Sequence, residues 1–106
     1  MKTAKQTAQQ GDVLFKQLPS MPAGEKKKIA SKRIVVAHGE SGHSHVIEDD
    51  EAELIETGGK ILLSLSKPAV IRHEEHKPIK LDKGVWELGR VQEFDYFKMM
   101  QRQVID

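Results

Sequence analysis

The sequence predicts an all-β protein, folded as a single small β-barrel or β-sandwich, jelly-roll-like, behind a flexible N-terminal arm. Three observations predict it. No stretch keeps an apolar period of 3.6, so no long amphipathic helix is expected. Short runs of β-branched and alternating apolar residues recur through the chain. Turn residues separate these runs at intervals of roughly eight to twelve positions, the spacing of compact sandwiches and barrels.

The elements follow in order. Residues 1–10 are polar, hold no large apolar side chain after Met1 and read as a flexible arm. Gly11-Asp12 is turn chemistry, and Val13, Leu14, Phe15 and Leu18 make a first strand. The segment 19–28, with two prolines, a glycine and Lys26-Lys27-Lys28, reads as an exposed loop. Residues 29–37 form a second strand, whose end is apolar on both faces and therefore central. A turn over 38–42 leads to a third strand over 43–48, in which His43, His45 and Ile47 share one face.

Asp49-Asp50-Glu51 reads as an acidic turn. Gly58-Gly59 joins two apolar runs, 52–57 and 61–66, as a two-residue hairpin, because glycine takes positive φ at no steric cost. Lys67-Pro68 marks a break before a strand over 69–75. In that strand Ala69, Ile71 and His73 share a face. Ile79 and Leu81 alternate with Lys80 and Asp82, Lys83-Gly84 turns, and a long last strand runs over 85–97 with Gly89 as a bulge. The expected organisation is an arm over 1–10, one β domain over 11–98 and a tail over 99–106.

The chain has 106 residues, enough for one core, and no cysteine. Disulfides and thiolate metal sites are thereby excluded, and any metal must sit on nitrogen or oxygen. No apolar run reaches membrane-span length, and a cytoplasmic protein is expected. The net charge of +1 hides an asymmetry. Residues 1–37 carry eight Lys/Arg against two acids, whereas 40–57 carry seven acids and no Lys or Arg. The basic segment 26–33 is a candidate surface for nucleic acid, but a solvated loop is the favoured reading of so short a run.

Four of the five histidines fall in two short clusters, Gly42-His43-Ser44-His45 and His73-Glu74-Glu75-His76. Two histidines two apart on a strand project from one face at ~7 Å, which lets both reach one ion from a rigid base. His43, His45, His73 and His76 are therefore the candidate ligands of a divalent metal, Zn, Fe, Mn or Ni. Glu74 and Glu75 are the candidate catalytic residues, completing the ligand set, orienting an imidazole or acting as base on bound water. The His-Glu-Glu-His string is not the helical zinc-protease motif, which spaces its histidines four apart. The same histidines also admit a structural reading, in which they cap turns or line subunit contacts.

Two resemblances bear on these motifs. Gly39, His43, His45, Glu48 or Glu51, and Gly58 resemble the first motif of the cupins, whose two histidines and glutamate bind a metal with a later histidine; His73 or His76 would take that last part. The second motif's Pro-x-Gly is absent. More of the chain is similar to a group of short bacterial and phage proteins, through Gly-Asp-Val-Leu (11–14), Gly-His-Ser-His (42–45), His-Glu-Glu-His-Lys-Pro-Ile (73–79), Gly84 and Gln-Glu-Phe-Asp (92–95). That resemblance implies a bacterial or phage setting and treats the two clusters as one site; it implies no reaction. The expected function is a small metal-binding β-barrel of cupin type with a small-molecule substrate. The alternatives are a homo-oligomeric structural or interaction module and a nucleic-acid-binding protein.

Overall fold

A computed structural model describes residues 3–38, 44–90 and 103–105. Among them there is no helix, only strands and the turns and connections between them. The first strands are β1 (Thr3–Ala4), β2 (Thr7–Gln10) and β3 (Val13–Leu18). Two long strands follow, β4 (Lys27–His38) and β5 (Ser44–Thr57). Then come β6 (Lys60–Leu65), β7 (Ala69–Arg72), β8 (Ile79–Leu81), β9 (Gly84–Arg90) and β10 (Gln103–Ile105).

All belong to one sheet, ordered β1-β8-β7-β5-β6-β9-β3-β2-β10, with β4 paired to β5. The two ends of that order are tied together by the N-terminal segment. β1 runs parallel to β8, β2 runs antiparallel to β3, and only Lys5 and Gln6 separate β1 from β2. The Asp82 amide donates to the Ala4 carbonyl and the Gln17 amide to the Gln6 carbonyl, both at 2.9 Å. The sheet is thereby a nearly closed barrel, which leaves fewer unpaired edges than an open sheet of the same strands.

This closure corrects the expectation of a flexible arm. Residues 3–10 are barrel wall, with Ala4 and Ala8 in the core and Gln10 fully buried. The buried positions of this segment are held by alanine and glutamine, and the buried Gln10 amide is hydrogen-bonded. The C-terminal residues 103–105 are likewise a strand, parallel to β2. The last strand is described over Gly84–Arg90; the remainder of the expected 85–97 run lies outside the described residues, as does the turn at 39–42. Gly89 is no bulge within the β3–β9 ladder, since Val13 through Leu18 pair with Arg90 through Val85 without a register shift.

The acidic triplet is also corrected. Asp49-Asp50-Glu51 lies inside β5, which runs on as one strand of 14 residues. The chain bends there without reversing. Asp49 Oδ1 accepts the Glu51 amide at 2.8 Å, and the β4–β5 register shifts between Ser31 and Lys32, where Lys32 takes φ +70°. A bulge of this kind sharpens strand twist and lets one long strand serve two parts of a barrel wall. β5 accordingly pairs with β7 at its start and with β6 at its end. The Gly58-Gly59 hairpin is as expected, with φ of +56° and +78° and Thr57 paired to Lys60.

The barrel interior is filled by Phe15, Ile34, Ile47, Leu63, Ile71, Leu81 and Trp86, all at most 1% exposed. The Trp86 indole N–H donates to the Asp82 carbonyl at 2.9 Å, so its burial leaves no orphan donor. The β4–β5 pairing also explains the charge asymmetry. The basic strand lies beside the acidic one, with Lys28–Glu53 at 2.9 Å and Arg33–Glu48 at 3.6 Å.

Candidate functional site

Three stretches remote in sequence meet at one place: the β2–β3 turn at Gln10-Gly11-Asp12, the start of β5 at Ser44-His45, and the 73–78 connection between β7 and β8. Period-two alternation places His45 inward beside Ile47, and His45 is 1% exposed. β7 ends at Arg72, so His73 leaves the strand and the chain turns through Glu74-Glu75 to bring His76 back. The imidazoles of His45 and His73 lie 4.4 Å apart between ring centres, those of His73 and His76 4.7 Å, and those of His45 and His76 6.4 Å. The expected union of the two clusters therefore occurs for His45, His73 and His76. His43 lies outside the described residues.

Gln10 organises the site. Its amide nitrogen donates to the Ile71 carbonyl at 3.0 Å and to the Lys77 carbonyl at 2.9 Å. Carbonyls only accept, so the amide cannot be flipped, and the Gln10 oxygen must be the atom 2.9 Å from His45 Nδ1. His45 Nδ1 then carries the hydrogen. Its other nitrogen, Nε2, faces Asp12 Oδ1 at 3.8 Å. In the neutral ring that nitrogen presents a lone pair toward a carboxylate. Two acceptors so placed attract a cation, whether a proton on the imidazole or a metal ion between them.

The 73–78 connection is built with similar economy. The Glu75 amide donates to His73 Nδ1 at 3.1 Å, which makes Nε2 the donor of the neutral His73 ring. His76 packs on Gly11, where an added Cβ would lie 2.7 Å from its Nε2. Gly11 also takes φ +60°, and the Gln9 amide holds its carbonyl at 2.8 Å. Glycine is required there twice, for backbone conformation and for the space the ring occupies.

Among the described residues no three His, Asp or Glu side chains converge on a point that could hold an ion. Of the carboxylates expected to be catalytic, Glu74 lines an open groove next to His73, and Glu75 acts on His73 through its backbone. Sequence reasoning missed Gln10 and Asp12 as members of the site. Asp12 was visible as turn chemistry alone, and a buried glutamine has no local signature.

The family model for a Domain of unknown function (DUF8820) matches residues 9–91. The chain belongs to the DUF8820 family. No curated protein and no solved structure matches it. The DUF8820 match spans Gln10, Asp12, His45, His73 and His76, so the whole described cluster lies within the family domain. Among the described residues of this DUF8820 chain no helix is long and apolar enough to cross a membrane.

Proposed function

We propose that this barrel holds a divalent metal ion at the histidine cluster. The observation that carries the reading is the fixed tautomer of His45. A ligating histidine typically donates its far N–H to a carbonyl or carboxylate, which turns the near nitrogen toward the metal. Gln10 supplies that acceptor, and His45 Nε2 lies 3.8 Å from Asp12 Oδ1. Two ligands ~2.1 Å from a tetrahedral ion lie ~3.4 Å apart, so the 3.8 Å gap must close by only ~0.4 Å. His45 and Asp12 are the first ligands in this reading, with His76 and His43 to complete the set. His73 joins by giving up its bond to the Glu75 amide. All-nitrogen/oxygen ligation suits Zn, Fe, Mn or Ni. In the enzymatic form of this reading, a small-molecule substrate would meet Glu74 as a base at the groove beside His73.

Metal analysis of untagged protein, loaded with each ion and then dialysed, tests the reading. Binding should approach about one ion per chain, and His45→Ala should remove it; retention below about a tenth of stoichiometry for every ion would sink the proposal.

A second reading, association between copies, is favoured by one observation. β4 is 12 residues long and pairs only with β5 among the described residues, and it carries Ile29, exposed at 48%. Long edges of this kind recruit other strands. Light scattering across a concentration series decides it, since a monomer throughout excludes association. Nucleic acid is the least supported partner, because Lys28 and Arg33 already face acids of β5.

A further inference from the structure

His45 and Ile47 point into the barrel, so Val46 and Glu48 face out. On that outer face lies an open groove of about 480 Å³. Val46 and Pro78 supply apolar lining, Arg33, Glu48, Arg72 and Glu74 supply charge, and His73 borders it from the imidazole cluster. Arg72 stands opposite Val46 in the β7–β5 register, and Arg33 stands opposite Glu48 in the β4–β5 register.

The two arginines differ in their commitments. Arg33 is paired with Glu48 at 3.6 Å, and Glu74 is engaged as well. Arg72 makes no ion pair among the described residues. The groove therefore presents one guanidinium outside any ion pair among the described residues, next to the apolar Val46 and Pro78. Such a planar fork matches a carboxylate bidentately. His73 borders the groove with its Nδ1 held by the Glu75 amide.

We propose that this groove binds a small organic carboxylate with an aliphatic body, its anionic end on Arg72 and its body on Val46 and Pro78. The site does not require an ion at the histidine cluster. His73 belongs to both, so occupancy of one would be felt at the other.

The test is an NMR titration of the full metal-free chain with isovalerate, with the neutral isosteric isovaleramide and inorganic phosphate as separate arms. Isovalerate should give saturable shifts at Val46, Arg72 and His73. Arg72→Gln, an exposed change checked by its amide spectrum, should weaken binding about tenfold or more, whereas Lys67→Gln should not. Isovaleramide should bind much more weakly, because it lacks the charge. Phosphate should also bind more weakly, because it cannot use the apolar lining. The proposal is overturned by unsaturable shifts, by amide or phosphate binding as well as isovalerate, or by an Arg72→Gln variant that binds like the parent. Metal content of Arg72→Gln should equal that of the parent, so failure of the groove and failure of the metal reading give different results.

Discussion

Two tight turns of this barrel use glycine for different reasons. At Gly58-Gly59 both residues take positive φ and a Cβ on either would meet nothing within 4 Å. That turn asks only for a backbone conformation. At Gly11 the same backbone demand is joined by a histidine ring 2.7 Å from where a Cβ would sit, and by the neighbours Gln10 and Asp12, which contact or face His45. One turn reverses the chain; the other reverses it and forms part of the candidate site. Both places read as turn chemistry in the sequence, and the partners that arrive from elsewhere in the chain distinguish them.

The comparison breaks most visibly at Gln10. Gln10→Leu keeps an apolar fit but strips the Ile71 and Lys77 carbonyls and His45 Nδ1 of their partner. Each buried orphan costs about 1–3 kcal/mol, so a total near 4 kcal/mol is expected in urea unfolding. The His45 ring should also lose its single tautomer, visible in its ¹⁵N shifts. A loss below about 1 kcal/mol with an unchanged tautomer would show that Gln10 does not organise this region.

Sharpening comes next, at the glycines themselves. Gly58→Ala should cost about 1 kcal/mol, the penalty of a side chain in the left-handed region. Gly11→Ala bears the same penalty and also displaces the His76 ring, so about 3 kcal/mol is expected. A double-mutant cycle isolates the difference: in a His76→Ala background the Gly11→Ala cost should fall toward that of Gly58→Ala. Equal costs in both backgrounds would mean that the ring moves aside freely.

These cases mark what the sequence made legible. The Gly58-Gly59 hairpin, the alternation that buries Leu63 and Leu65, and the inward turn of His45 beside Ile47 all follow from spacing within a few residues. The meeting of His45 with His73 and His76 could be anticipated from the bunching of the histidines. The N-terminal wall could not, because its buried side chains are alanines and glutamines whose burial depends on distant strands. Gln10 reaches partners 61 and 67 positions along the chain. The acidic triplet misled for a related reason. Turn-forming residues need not end a strand whose partner runs on, and here β4 continues past them across a register shift.

The smallest effect belongs to the charges that dominate the sequence. Among the described residues Lys28 and Glu53 form the shortest ion pair of the β4–β5 wall at 2.9 Å, yet their side chains are 60% and 40% exposed. Water screens such a pair, and holding two long side chains costs entropy that offsets the attraction. Lys28→Ala should therefore shift stability by no more than about 0.5 kcal/mol, and by less still in high salt. Urea unfolding at low and high ionic strength measures both. A loss well above about 1 kcal/mol that survives salt would point to packing of the lysine stem on the sheet. The wall between β4 and β5 would then owe its stability to side-chain burial, and the charge asymmetry would set only which strand faces which.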